Sequence, residues 1–353
     1  MRYINFAIVI VFWAAPVFGL TVESVSDYGP SDQAVHLEIL SSTDKEIFEP
    51  VLQRFVAEFP EKRIRYTVAS TTDISASISK SQKNFDLVMS SAMDLQIKLA
   101  NDGLAASLDL PDYLNVPDWS IWQDRLVGFS AEPIVMVVSR KDFVGKHVPE
   151  TRRELITLIR NEPNFFREKV ITYDVNTSGA GFLFASQDVR QSDSFWRLAE
   201  VFGGIKTKLV CCSGNMLDEL ESGKSILAYN LIGSYAEQHA KTRRNLQVVY
   251  PKDYTLILLR SALIPRESKN KQAARQFLTY LLSERGQSHM TKTTGLLSPK
   301  SQSKLNQSNF KPIRLDTGLL VYLDRLKRKR FLREWNEALI QCSSLSFENI
   351  FGV

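Results

Sequence analysis

The sequence predicts an α/β protein of open mixed sheets flanked by helices, large enough for two domains. The chain has 353 residues, of which 44% are apolar and 24% charged, a globular composition with room for two buried cores. Within the first hundred residues one pattern occurs three times: an apolar strand, two or three hydroxyl residues, then a helix. In open α/β sheets, ligands collect at the C-terminal ends of strands beside helix N-termini, so three such loops point to one shared site.

The elements follow in order. Residues 20–34 are polar and mixed and read as an N-terminal extension. Residues 35–40 alternate as a strand, and Ser41-Ser42-Thr43-Asp44 precedes Ile47, Val51, Leu52, Phe55, Val56 and Phe59 at helical spacing. Ser, Thr and Asp before such a run are N-cap residues. Residues 64–69 form a second strand followed by Ser70-Thr71-Thr72-Asp73. Residues 85–89 form a third, followed by Ser90-Ser91-Ala-Met-Asp94 and a helix that stops at Asp102-Gly103. Further strands are expected over 134–139, 225–229 and 256–264, and helices over 150–160, 192–202 and 271–284, the last stopped by Gly286. Residues 298–312 read as a loop, and 318–342 as one amphipathic helix. Between 171 and 184, Ile-Thr-Tyr leads into Asn176-Thr177-Ser178-Gly179-Ala180-Gly181 and then a helix, which repeats the strand, small polar loop and helix of the first hundred residues.

The net charge is +5, and much of the excess sits in Arg325-Leu-Lys-Arg-Lys-Arg-Phe-Leu-Arg333. No zinc-finger, basic-zipper or RNA-recognition signature accompanies that run, so no nucleic-acid partner is expected. The run reads either as a solvated helix face or as a docking face for a membrane partner. At the N-terminus, Arg2 precedes an apolar stretch over 4–15, and Gly19 offers a small residue for cleavage. This is the pattern of a secretory signal over 1–19, cut near Gly19, and it is shorter than a spanning helix. Export makes a disulfide feasible for Cys211, Cys212 and Cys342. Neighbouring cysteines rarely bond each other, which leaves three free thiols or a bridge from Cys211 or Cys212 to Cys342.

The signatures of chemistry are missing. The 176–181 loop lacks the Gly-Lys-Ser/Thr of a nucleotide P-loop and the third glycine of a dinucleotide fingerprint. No G-x-S-x-G, H-E-x-x-H or C-x-x-C occurs, and the four histidines are scattered. No catalytic residue, metal ligand or cofactor is nominated. Hydroxyls, amides and glycines at strand ends suit recognition and release of a small polar solute.

Six segments resemble the periplasmic solute-binding proteins of bacterial ABC importers, in the iron(III)-type and phosphorylated-solute group. They are Leu40-Ser-Ser-Thr-Asp44, Phe85-Asp-Leu-Val-Met-Ser-Ser91, Gly128-Phe-Ser-Ala-Glu-Pro133, Thr177-Ser-Gly-Ala-Gly181, Leu227-Ala-Tyr-Asn-Leu-Ile-Gly233 and 277–287, in the family's order. The resemblance implies a two-lobed periplasmic-binding-protein clamp, each lobe a mixed sheet flanked by helices. Two crossings are expected near 131–134 and 253–256. Lobe one would take 34–131 plus 255–290, and lobe two 132–254 plus 291–345 with the C-terminal helix.

Ligand would sit in the cleft against Ser42, Thr43, Ser70, Thr71, Ser90, Ser91, Thr177, Ser178, Gly179, Ala180, Gly181, Tyr229 and Asn230. The amides of Ser42, Ser70, Ser91 and Ser178 would converge on one phosphate or carboxylate. The family's iron binders carry adjacent tyrosines where this chain has the single Tyr229. The expected role is therefore a periplasmic, monomeric receptor that passes a small anionic solute to an ABC permease. A sensor component serving a histidine kinase, a ferric-iron binder and a secreted enzyme remain as alternatives.

Overall fold

A computed structural model describes residues 20–301, 305 and 307–339. The expected signal over 1–19 and Cys342 lie outside the described residues. In chain order the first elements are β1 (Ser24–Tyr28), β2 (Leu37–Ser41), α1 (Lys45–Glu58), β3 (Ile64–Val68), α2 (Thr71–Ser79), β4 (Leu87–Ser90), α3 (Met93–Asn101), β5 (Ile121–Trp122) and β6 (Leu126–Ser139). Then come α4 (Arg152–Asn161), α5 (Pro163–Phe166), β7 (Val170–Tyr173), α6 (Gly179–Gln191), α7 (Ser194–Gly204), β8 (Lys208–Val210), α8 (Ser213–Glu221), β9 (Leu227–Ile232), α9 (Gly233–Thr242) and β10 (Leu246–Val249). The last are β11 (Thr255–Leu263), α10 (Lys271–Leu282), α11 (Glu284–Thr294), β12 (Phe310–Pro312) and α12 (Arg325–Leu339).

The backbone of the sheet runs β1-β3-β2-β4-β11-β6-β9-β7-β8. β2 is parallel to β3 and β4, and β7 is parallel to β8 and β9, while β11 and β6 are antiparallel. β6 joins the two lobes. Its first half pairs with β11, as far as Pro133 opposite Ile257. Its second half, from Ile134, pairs with β9, and Met136–Ser139 also pairs with β10. Every residue of β6 is buried. The sequence expectation began this strand at 134; the polar and small residues before it, Gly128, Ser130 and Glu132, are in fact strand residues with buried partners. After β10 the chain returns to lobe one through Tyr254 and β11.

Helix α1 shows why the sequence folds this way. Ile47, Phe48, Val51, Leu52 and Phe55 recur on one face and are all buried. Each such side chain contributes about 1.5–3 kcal/mol on burial. Phe55 stands edge-on to Phe277, with centroids 4.9 Å apart, and so joins α1 to α10.

Several expectations change. Residues 24–28, read as an extension, form β1 antiparallel to β3, an edge strand that exposes Val25 and Asp27 and turns Ser24, Ser26 and Tyr28 inward. Gly286 does not stop the helix begun at 271. The break falls at Ser283, whose hydroxyl oxygen accepts from the Gly286 amide and starts α11. Gly286 is required because a Cβ there would lie 2.0 Å from the Tyr280 carbonyl oxygen. The helix expected over 318–342 is a 3-10 turn over Thr317–Leu323 and then α12, divided at Asp324, whose carboxylate caps the Leu326 and Lys327 amides.

The tail expected in lobe two divides between the lobes. β12 lies parallel to β11, the Ile313 amide bonds the Ile257 carbonyl, and the Leu315 amide bonds the Trp119 carbonyl, all on lobe one. The 3-10 turn over Thr317–Leu323 and α12 reach lobe two, where Arg190 donates to the Gly318 carbonyl at 3.3 Å. There Phe331 and Trp335 pack on Phe195, with ring centroids 6.3 and 5.9 Å from it.

Candidate functional site

Four helices begin at the space between the lobes. Asp44, Ser70, Ser178 and Cys212 stand immediately before the first turns of α1, α2, α6 and α8, and all four line the cleft. The first two belong to lobe one and the others to lobe two. The space is about 550 Å³, part of it open to solvent. The lobes touch around it. The Asp44 amide donates to the Tyr235 hydroxyl at 3.3 Å, and the Thr72 hydroxyl donates to the Thr177 carbonyl at 3.4 Å.

Of the residues nominated from sequence, Ser42, Ser70, Thr71, Ser91, Thr177, Ser178 and Ala180 line this cleft. The others lie elsewhere. Thr43 is buried behind it, where its hydroxyl oxygen accepts from Arg260 at 2.7 Å. Ser90 is buried, and its hydroxyl oxygen accepts from the Ala92 amide at 3.1 Å. Gly179 sits at the contact between lobes: a Cβ there would be 2.7 Å from Thr71 Oγ1 and 2.9 Å from Leu95 Cδ1. At Gly181 a Cβ would be 2.3 Å from the Tyr173 Cβ, so this glycine lets α6 pack on β7.

Tyr229 and Asn230 turn into lobe two. The Tyr229 hydroxyl donates to Asp188 at 2.9 Å, and the Asn230 side-chain amide does so at 2.7 Å. Arg152 completes this buried network, donating to Asp188 at 3.1 Å, to the Tyr229 hydroxyl at 2.7 Å and to Asp253 at 3.1 Å. Asn230 has φ +61°, a left-handed conformation that Asn tolerates better than most residues.

The amides expected to converge are largely committed. Ser42 N–H bonds the Met89 carbonyl, Ser91 N–H bonds the Ser42 hydroxyl, and Ser178 N–H bonds the Asp174 carbonyl. The first-turn amides just beyond, at Thr71, Ala180 and Gly214, belong to lining residues and have no carbonyl four residues back inside their own helix. They add backbone donors to the hydroxyls that line the cleft.

Arg260 is the cation of the cleft wall. Its guanidinium donates to Glu132 at 2.5 and 3.3 Å, and both side chains are 1% exposed. Burial alone would lower the guanidinium, but Glu132 and Tyr235 beside it hold it above its ordinary value. Glu132 also accepts from Ser130 and Ser234. Two further carboxylates face the space. Burial pushes Asp44 up, with Arg260 and Tyr235 working against it. Burial also raises Glu23, and the charges of Asp44 and Asp73 add to it. Burial raises Tyr173 and Tyr235 well above the usual phenol range, so both are neutral hydrogen-bonding groups.

Sequence reasoning missed Glu23, Tyr173, Cys211, Cys212, Ser213, Gly214, Tyr235 and Arg260 as cleft residues. Two signals were available. Arg260 is the single charge in a strand that is otherwise apolar but for Thr255 and Ser261, and a buried arginine must have a partner. Val210-Cys-Cys-Ser-Gly214 is another strand, small-residue loop and helix, obscured because β8 is only three residues long. The cysteines also correct an expectation: Cys211 and Cys212 bond each other.

Two mixed α/β lobes, joined by a shared strand and meeting at a cleft lined by helix N-termini, define a solute-binding clamp. The model for bacterial extracellular solute-binding proteins matches residues 37–293. The chain belongs to that family, in the group of periplasmic substrate-binding proteins of ABC transporters. Among solved structures, it is similar to the substrate binding protein of the ABC transporter from Agrobacterium tumefaciens. That likeness has 30% identity and a TM-score of 0.86, and covers 91% of this chain and 99% of that one. It is also similar in fold to AfuA from Actinobacillus pleuropneumoniae with fructose-6-phosphate bound (15% identity, 87% and 99% covered, TM-score 0.71). A further fold neighbour is iron-bound HitA from Pseudomonas aeruginosa (17% identity, 86% and 99% covered, TM-score 0.66). A search of curated proteins by sequence found no match. Among the described residues no helix is long and apolar enough to cross a membrane.

Proposed function

We propose that the protein captures a small anionic solute, phosphorylated or carboxylated and bearing hydroxyls, and delivers it to an ABC permease from the periplasm. The observation that carries this is the meeting of four helix N-termini, two from each lobe, on one cleft. Each N-terminus carries roughly +0.5 of a charge and unsatisfied amides. An anion held between them gains from both lobes only when they close, and that differential affinity drives closure. Ser42, Ser70, Thr71, Ser91, Thr177 and Ser178 supply hydroxyls around it. Glu23 and Asp44 suit hydroxyl groups of the solute body, and their raised pKa values lessen repulsion of the anion. The ligand class rests on these residues, because the fold alone is shared by proteins with different ligands.

Thermal-shift and calorimetric titration with inorganic phosphate, glucose 6-phosphate, fructose 6-phosphate and citrate test the proposal, with glucose, thiamin and ferric citrate as controls. An anion at a hundred times its Kd should stabilise the protein by about 2.7 kcal/mol. Its affinity should fall as pH rises through the raised pKa values of Glu23 and Asp44, as their charges form. Stabilisation by ferric citrate but not by citrate, or by a neutral or cationic control alone, refutes the anion reading.

A further inference from the structure

At the corresponding junctions of α1, α2, α3 and α6 the chain places Ser-Ser-Thr, Ser-Thr-Thr, Ser-Ser and Asn-Thr-Ser. At the junction of β8 and α8 it places a disulfide between adjacent residues, Cys211 and Cys212, and both line the cleft. Cys211 is exposed and Cys212 half-buried, so the bridge is reachable from solvent. Cys212 is also the residue before the first turn of α8. The next residue, Ser213, is held by the Tyr173 hydroxyl at 2.7 Å. The one after it, Gly214, faces open space: a Cβ there would meet nothing within 4 Å.

A bridge over a single peptide bond removes freedom from the two residues that aim the α8 amides into the cleft. It also presents sulfur, an apolar polarisable surface, where the other loops present hydroxyls. A thiolate formed at a helix N-terminus is stabilised by the helix, which favours opening of this bridge by an external thiol.

We infer that the Cys211–Cys212 disulfide is a ligand-contacting wall of the cleft and that its reduction by a dithiol weakens solute binding. This rests on the cleft being the solute site. In the reaction the protein S–S bond breaks, and each of its sulfurs takes a hydrogen from the dithiol. The dithiol is thereby oxidised to its own disulfide. Reduction releases the α8 N-terminus and replaces the sulfur wall with two thiols. By linkage, a solute that binds the oxidised form more tightly must make the disulfide harder to reduce by the same factor.

The mature chain, in a Cys342→Ser background, is equilibrated in dithiothreitol redox buffers. Alkylation and peptide mass read the reduced fraction, and hydrogen exchange reads the amides of 212–215. Calorimetry with inorganic phosphate, glucose 6-phosphate and citrate reads affinity. Reduction is expected to quicken exchange at 212–215, to leave the rest of the protein unchanged, and to raise Kd about tenfold. The best-binding anion is then expected to lower the midpoint potential of the disulfide by about 30 mV. A Cys211→Ser/Cys212→Ser variant should bind like the reduced protein and ignore the dithiol. Equal Kd in both redox states, or equal exchange at 212–215, overturns the inference. If no anion binds either form, the proposed ligand class fails instead. In that case the exchange difference alone decides whether the bridge clamps α8.

Discussion

Gly179→Ala separates closure of the clamp from stability of its lobes. Gly179 is the first residue of α6, on lobe two, and it faces Thr71 and Leu95 of lobe one across the contact between lobes. An added Cβ would stand 2.7 Å from Thr71 Oγ1 and 2.9 Å from Leu95 Cδ1. The Leu95 methyl can swing aside. Thr71 is β-branched and starts α2, so it has less room to move. Overpacking of this kind costs about 1–3 kcal/mol. The cost falls only on the closed state, because separated lobes leave the methyl in water. Solute affinity should therefore drop by about 5- to 150-fold, at 1.4 kcal/mol per factor of ten. Within lobe two the change is harmless, since Ala is a better helix former than Gly by up to about 1 kcal/mol. Calorimetry with the best-binding anion gives the affinity, and the melting temperature of the unliganded protein reports the lobes. Small-angle scattering should show a more open average shape. Thr71→Ala/Leu95→Ala in the Gly179→Ala background should recover affinity relative to Thr71→Ala/Leu95→Ala alone. Unchanged affinity, or a loss of affinity matched by an equal loss of melting temperature, would refute the reasoning.

Three further outcomes follow from buried groups. Asp94 is fully buried, one of its carboxylate oxygens has no partner among the described residues, and burial pushes its pKa up to about 7. A pKa raised on folding gives stability that is complete below the unfolded value and lost as pH rises through the folded one. Between pH 4 and 8 this group should cost the wild type on the order of 4 kcal/mol, so Asp94→Asn should be the more stable at pH 8. Identical pH slopes in urea melts of the two proteins would count against this. Arg260→Met leaves Glu132 buried without its cation and should cost about 3–5 kcal/mol, with most of it returned in Arg260→Met/Glu132→Gln. Equal losses in single and double variants would show that the pair is not the cause. Ser178→Ala removes the acceptor for the Gly181 amide, 3.1 Å away, and should cost about 1 kcal/mol. Faster hydrogen exchange at Gly181 is the expected sign, and unaltered exchange there would contradict it.

The repeated strand, hydroxyl loop and helix was legible because it is local. Side-chain periods, N-cap residues and apolar runs act within a few residues of one another. The sequence by itself therefore determined the α/β class, most strands and helices, and the loops at Ser42, Ser70, Ser91 and Ser178 that reach the cleft. It did not reveal that Tyr229 and Asn230 serve Asp188, because their partners lie 41 and 42 residues away in the chain. Nor did it reveal that Gly179 meets the opposite lobe, since a glycine's neighbour is set by how two lobes approach.

The break at Ser283 and the division at Asp324 were written in capping residues, but longer apolar and basic runs masked them. Cys211 and Cys212 show the sharpest difference. Local geometry disfavours a bond between neighbours, and only the tertiary structure presents that bond as part of a cleft wall. What folding decided was which polar groups face inward to satisfy one another and which are left facing the space between lobes. That choice depends on long-range burial, where an unpaired donor or charge is costly, and no short stretch of sequence contains both partners.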